Sequence, residues 1–586
     1  MFNEFGCTRS EGDLKIDCSE TKVAKEATIT ANNQFNFAGK VLENAGSMKF
    51  KTFATLTMVE FDNKGIIKLP ETTYLQAKSA IFDTNSQLKW RKNADATTDA
   101  QPFTRVMRID EKVKIKENAH FHLDDVHFTA EKVSVRGEFT AEKSAIHVMP
   151  PAGKPAPQKQ TPSTSGKRVP IKPIKSITTK GKAKFDIKKS YIRAKVVIAN
   201  SSETAVLDSA TLDTTILRVN SPINITSTTI NSQSCDFDKK TQIEKSKITN
   251  IENLSIKLNA MAKIEDSHIN TKSLIVNGKL DASGKMSADG KYVKGAQTDI
   301  ISKSVTVNGE FALTHSILQS DMLIGDKNST LKSQNSTSWV VSDSALLYGK
   351  STFKTSSLNL NNFSNYGDTT VESSRVISNN TVYSANKLTV NGADVTAPRL
   401  DLGGEYQIDK LQTVDKEGKL TQVTSLLQSG QGSIKNSHID AKYFQTSEQA
   451  TVTYENNPYL KLDNGFLAGK VSFKNSVVKM KTLQQNKSNL SIDACKTFRV
   501  ESLSSSSDSK TNISQSVILG KMANFEGDTD VNTSSTLAGE NVYLSGETKI
   551  NKASVVADSH MAFLGKKTAI AAASLQAKKM DINNDF

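Results

Sequence analysis

Along much of this chain apolar and polar residues alternate over four or five positions, break at a glycine or polar turn, and then alternate again. Val542 and Leu544 flank Tyr543 in this way, as Val305 and Val307 flank Thr306 and Val133 and Val135 flank Ser134. A period of two is that of a strand with one buried face, and no 3.6-residue helical period appears beside it. The pattern also returns at a nearly constant distance. In 541–559, Val542, Leu544, Gly546, Ile550, Ala553 and Ser554 have counterparts in Met561, Phe563, Gly565, Ile570, Ala573 and Ser574, the first three at an offset of 19 and the others at 20. The stretches 303–318 and 132–146 share Val-x-Val followed by Gly-Glu-Phe. Val-Asn-Gly recurs at Val276, Val307 and Val390, where the Asn-Gly pair predicts a turn with positive φ. A second landmark is a serine leading into one or two apolar residues, at Ser246, Ser267, Ser316, Ser344, Ser374, Ser437, Ser476, Ser516 and Ser554. Most of the intervals are near one, two or three times a unit of about 20 residues.

A unit this short holds two or three strands and cannot close a core alone, but stacked copies share a continuous one. The predicted fold class is therefore all-β, a right-handed parallel β-helix (β-solenoid) with coils of about 20 residues. Equivalent residues of successive coils should lie side by side at the strand spacing of about 4.8 Å. Val542 and Leu544 are thus expected to point inward beside Met561 and Phe563, with Tyr543 outward. The expected organisation is an N-terminal cap or tail over 1–18, N-terminal coils over 19–148, a basic insertion over 149–185 and the main array over 186–586. At one coil per strand spacing the main array corresponds to about 20 rungs and a rod on the order of 95 Å. Leucine-rich and calcium-binding nonapeptide frames are not sustained along the chain.

The alternating strand, glycine turn and Ser- or Ala-led strand at this spacing resemble the repeat arrays of filamentous-haemagglutinin-type adhesins, the large exoproteins of bacterial two-partner secretion. The resemblance covers most of 186–586 and, more weakly, 1–148. It implies an adhesin-like protein, secreted or at the bacterial cell surface, that presents an extended repeat surface to host cell-surface glycans or proteins. That family's Asn-Pro-Asn secretion motifs are not found, and Met1, Phe2, Asn3, Glu4, Phe5 and Gly6 form neither a basic n-region nor an apolar h-region. The alternatives are an intracellular scaffold or injected effector built on the same rod, and a carbohydrate-processing β-helix enzyme.

Composition changes this picture in two places. Apolar residues make up 37%, or 42% with the 30 glycines, below the roughly 45–50% of ordinary globular domains. Shared cores explain how so lean a chain folds. The net charge of +14 would suggest nucleic acid until it is located: nine basic residues (Lys154, Lys159, Lys167, Arg168, Lys172, Lys175, Lys180, Lys182 and Lys184) and no acid lie in 149–185, leaving 14 − 9 = 5 for the rest. Seven of the twelve prolines lie in the same window. It reads as a solvated extended insertion, with an anionic partner for 154–184 as the alternative, and nucleic acid is not the expected partner. No run of about 18 apolar residues is present, so no membrane-spanning helix is expected.

Candidate chemistry is sparse. No catalytic residue, cofactor site or metal site is assigned, and no cofactor is expected. Cys7, Cys18, Cys235 and Cys495 form no C-x-x-C pair; Cys7 and Cys18 could pair or stay free. His120, His122 and Asp124 would share one strand face, a feasible metal surface, against the bland reading of a polar outer face over inward Phe121 and Leu123. His268, His438 and His560 each follow Asp-Ser or Asn-Ser and His315 precedes Ser316, a recurrence that reads as exposed corners. Asp236 with Asp238 and Asp528 with Asp530 are same-face carboxylate pairs of the kind a glycosidase needs, but common in a chain with 61 acids. The stretch 344–351, ending Gly349-Lys350-Ser351, lacks the first glycine of a phosphate-binding loop and reads as a strand turn.

Overall fold

A computed structural model describes residues 2–4, 6–70, 72–90, 105–148, 176–285, 293, 296–565 and 567–583. Among these residues there is no helix, and the ladders are parallel. Ile230 pairs with Ile248 and Ile248 with Ile269, so each coil returns the chain beside its own earlier turn. The chain is a parallel β-solenoid, and it divides into two units, residues 1–301 and 302–586.

In the first unit the strands before Phe53–Asn63 have three to five residues, and from there a coil is typically a longer strand that bends near its middle, followed by a short one. Thr229–Phe237, Thr241–Glu244 and Lys247–Ile256 are typical. The bend appears as a register shift between Ser232 and Ser234 against the next coil. Because side chains alternate, each inward position becomes a column of residues from successive coils. Cys235 thus lies between Leu217 and Leu254, and all three are buried. Phe121, Phe139 and Phe185 form such a column with centroid steps of 5.5 and 5.8 Å, and Phe82, from a different inward position, packs against Phe121 at 4.7 Å and Phe61 at 5.6 Å. Such contacts add to the burial of each ring.

The ladder already includes the expected cap region: Cys7–Ser10 pairs with Thr28–Ala31, and Leu14–Asp17 with Gln34–Ala38. Of the basic segment, 149–175 lies outside the described residues. Ser176–Thr179 and Lys184–Lys188 are ladder strands, pairing with Val126–Val135 and Glu138–Glu142. All four cysteines are free, Cys7 exposed and Cys18 half-buried, with Cys18 Sγ 3.0 Å from Thr21 Oγ1.

The second unit carries the repeat that the sequence displays most plainly. Val542 pairs with Met561 and Leu544 with Phe563, all four fully buried, while Tyr543 is partly exposed. Ile550 pairs with Ile570. Both the inward register and the step from coil to coil are as the alternation predicts.

Corners follow one rule in both units. A non-glycine residue takes positive φ, and the next residue is most often a buried Ser, Thr or Asn, although Val126, Ala210, Leu411 and Ala553 fill the same place. Lys245 (φ 48°) precedes Ser246, Asp266 (φ 46°) precedes Ser267, Asn475 (φ 46°) precedes Ser476 and Gln515 (φ 50°) precedes Ser516. The buried hydroxyl does two things. It accepts the N–H of the equivalent residue one coil earlier, as Ser246 Oγ does from Thr228 N (3.1 Å) and Ser476 Oγ from Asn457 N (3.1 Å). It also donates to the carbonyl two residues before it, at 2.7 Å for Ser246 and 2.9 Å for Ser476. A backbone donor stranded by the turn is thereby satisfied inside the wall.

Three expectations change. Seven of the nine landmark serines occupy this corner, but Ser344 and Ser554 do not; Thr337 and Ala553 take the position in their coils. Nor does Asn-Gly supply positive φ wherever it occurs. Gly392 has φ +66°, whereas Gly278 is required by close approach, because a Cβ there would run into Lys257 O. The four histidines do not share one position either. His268 and His438 open strands after the corner serine, His315 is itself the positive-φ residue, and His560 lies within a strand, its Nε2 2.7 Å from Asp581 Oδ2.

Candidate functional site

The sequence-derived candidates lie on outward faces, and His120, His122, Asp236 and Asp528 have partners on neighbouring coils. His120 and His122 alternate with buried Phe121 and Leu123, so they do share a face with Asp124. Their Nδ1 atoms are engaged by the next coil, His120 with Glu138 Oε2 (2.5 Å) and His122 with Thr140 Oγ1 (2.7 Å). Burial pushes the Glu138 carboxyl up, but hydrogen bonds from Lys184 and His120 outweigh it and hold it below the usual range. Among the described residues no group of three His, Cys, Asp or Glu side chains could hold a metal ion. Asp236 lies 3.8 Å from Arg218 Nε and 3.4 Å from Lys257 Nζ, and Asp528 lies 3.8 Å from Lys510 Nζ. The stretch 344–351 is a strand end, a turn and the start of Lys350–Lys354, without the helix start that cradles a phosphate.

The coil register creates two constellations that linear reading missed, both in the second unit. In the first, Gln422 Nε2 donates to Asp440 Oδ1 (2.8 Å) and to Asp463 Oδ2 (3.1 Å), joining carboxylates from successive coils. Lys461 Nζ lies 2.9 Å from Asp440 and Lys481 Nζ 3.2 Å from Asp463. Burial raises the Asp463 pKa, but Gln422 and the two ammonium groups outweigh it, so the carboxyl stays below its ordinary value. A glycosidase acid needs the opposite environment, one that keeps its proton near neutrality.

The second is an open groove of 530 Å³ along one corner row, lined by Ser336, Thr355, Ser373, Ser357, Arg375 and Asp394 among others. Ser336 (φ 60°), Thr355 (φ 51°) and Ser373 (φ 46°) are the positive-φ residues of three successive coils. Their neighbours Thr337, Ser356 and Ser374 are buried and spend their hydroxyls on backbone carbonyls at 2.6, 3.0 and 2.7 Å. The exposed row is different: among the described residues the hydroxyls of Ser336, Thr355 and Ser373 have no partner. Arg375 and Asp394 are register partners on adjacent strands and put one positive and one negative charge on the wall. Arg375 Nη2 donates to Asp415 O (3.1 Å) and to Lys416 O, fastening an excursion that begins and ends at the antiparallel bridge of Val414 with Leu420. A run of Ser and Thr at the corner offset was the available signal; it was masked because the buried serines recur at nearly the same spacing.

Fold and site together define a parallel β-solenoid repeat protein with a polar groove crossing its coils. No family model, curated protein or solved structure matches this chain. No helix among the described residues is long and apolar enough to cross a membrane.

Proposed function

We propose that this solenoid is a binding and structural protein of adhesin type, similar in kind to filamentous-haemagglutinin exoproteins, acting at a bacterial surface or after secretion. Its partners would be host-cell glycans or proteins. The observation that carries the reading is the groove: equivalent outward positions of successive coils align, so recognition groups come in rows across coils. Rows suit extended partners, which several weak contacts hold together by avidity. The carboxylate pair Asp440 and Asp463 does not favour an enzyme, because lysines neutralise both groups.

The test combines binding to cells and to a glycan array with depolymerisation of the same glycans. For an adhesin, single polar substitutions along the row should each weaken binding only a few-fold, and no glycan should be cleaved. An enzyme would lose about 10² to 10⁴ in rate on removal of one acid or base. Turnover abolished by Asp463→Asn or Asp528→Asn therefore overturns the proposal. Binding by the groove should also depend weakly on salt, whereas binding by the basic run 154–184 should fall steeply.

A further inference from the structure

We infer that the groove over Ser336, Thr355 and Ser373 takes a neutral, polyhydroxylated glycan chain lying along the direction in which coils stack, with about one sugar ring per coil. The inference rests on the binding role proposed above and narrows its partner to one chemical class and one place.

Four observations lead there. Backbone groups on this wall are already committed to the ladder, as in the pairing of Ser338–Leu347 with Ser357–Asn365 and of Ser357–Asn365 with Asp368–Ser384, so an added peptide strand has no edge to join. The named groove wall is polar and presents no large apolar side chain, so the aromatic or aliphatic anchors of a protein partner have nowhere to go. Arg375 and Asp394 are the two charged residues of the named lining and are opposite in sign, so the lining has no net charge with which to hold a polyanion such as an acidic glycan or nucleic acid. What remains is a set of donors and acceptors: three unpartnered hydroxyls, exposed Ser357 and the half-buried Asp394 carboxylate, while Arg375 spends its Nη2 on the Asp415 and Lys416 carbonyls. A sugar hydroxyl donates and accepts at once, so it can meet either kind. The hydroxyls come one per coil, at the strand spacing of about 4.8 Å, close to the advance of a hexose ring in an extended chain.

The corner also permits a clean test. Alanine occupies this positive-φ position naturally at Ala494 (φ 52°) and Ala572 (φ 51°), so alanine at 336, 355 and 373 is compatible with the fold. The full chain and the triple variant Ser336→Ala, Thr355→Ala, Ser373→Ala would be titrated with neutral hexasaccharides of β-1,4-glucan, β-1,4-mannan and β-1,3-glucan. Heparin hexasaccharide and hexagalacturonate serve as acidic comparisons, and thermal melts verify folding. We expect at least one neutral chain to bind, the triple variant to bind it at least tenfold more weakly with an unchanged melt, and Asp394→Asn to weaken it as well. Equal binding by the triple variant overturns the site. Preference for the acidic chains, or binding of cell-surface protein with no neutral glycan bound, overturns the ligand class while leaving the adhesin reading standing. If neither cells nor any glycan bind, both fall.

Discussion

At Asn475 and Ser476 the chain turns a corner by placing an asparagine at φ 46° and a serine inside the wall. Positive φ costs most L-residues about 1–2 kcal/mol and Asn or Asp less, and the cost recurs at Lys245, Gln515 and their equivalents. The hydroxyl that follows offsets it by pairing a buried N–H of the neighbouring coil. Ser476→Ala should therefore cost about 1–3 kcal/mol, because it orphans Asn457 N–H within the wall. Ser336→Ala, at an exposed corner, should stay within about 0.5 kcal/mol, and urea unfolding of both variants checks the contrast. Cysteines give a second comparison. Cys495 occupies the serine position: its N–H donates to Ser516 Oγ at 3.0 Å and its Sγ lies 3.4 Å from Phe473 O. Cys495→Ser should be nearly neutral. Cys235 lies between two leucines, so Cys235→Ser buries a hydroxyl in an apolar column and should cost about 1–3 kcal/mol in the same assay. From sequence the serine stood out but its role did not, since nothing in Lys-Ser or Asn-Ser says which of the two residues turns inward. That is why Ser344 and Ser554 were grouped with residues they do not match.

Columns behave as elements of their own, because each inward residue is judged by the residue above and below it. In the second unit one column runs Phe353, Val371, Val390, Ile408, Ile434, Tyr454, Phe473, with rings at both ends and smaller side chains between. The wall between coils is set by the backbone ladder and does not contract to fit. A cavity of 40 Å³ results, bordered by Val371, Val382, Val390 and Leu400. Val390 keeps 6% of its surface uncovered and Val382 8%, against 0% for Val542. Val390→Ile adds a methylene where space exists and should stabilise the protein by about 0.8 kcal/mol. Val542→Ile adds the same group to a filled column and should cost about 1–3 kcal/mol, read from paired denaturation curves. The outward ladder makes a pH prediction. Because the folded-state pKa of Asp463 is depressed, its contribution is present above the unfolded carboxylate value and is lost as pH falls through the folded one. Asp463→Asn should thus lower stability at neutral pH and flatten the acid limb below about pH 4, seen in melts from pH 7 to pH 2. The Asp440–Gln422–Asp463 link escaped linear reading for a geometric reason: its members sit on different coils, and insertions such as the excursion after Val414 spoil the constant offset that would align them.

For the molecule as a whole, the fold was legible because a repeated coil writes the same burial problem into the chain again and again. Val542, Leu544, Met561 and Phe563 displayed period, register and facing direction together, and even a lean apolar content became intelligible once cores were shared. The site was less legible. A groove made from Ser336, Thr355 and Ser373 exists only through stacking, and its residues differ from their structural neighbours merely in which side of the wall they face. The same logic predicts what the chain tolerates. Each coil contacts chiefly the coils on either side, so stability is close to a sum of coil and interface terms, and a coil removed in register leaves an interface of the same kind. Deleting 516–534 joins Gln515 directly to Ser535, again a positive-φ residue followed by a buried serine. The columns then close on equivalent residues, as Phe498 loses Ile518 and gains Leu537, and Leu503 loses Ala523 and gains Val542. Deleting 525–534 instead removes Asp528–Asn532 and its turns but keeps all of Val517–Phe525 except its last residue, so Lys510–Ser514 and Thr548–Asn551 both lose the strand that joins them. That coil can no longer complete its circuit, and the inward columns on either side lose register across the gap. The first deletion should keep a β-sheet circular dichroism spectrum and a cooperative melt with a modest loss in Tm. The second should abolish the cooperative melt of the second unit and expose it to protease. Equal damage from both would mean that coils are not interchangeable and that the terminal repeats are held by something beyond nearest-neighbour stacking.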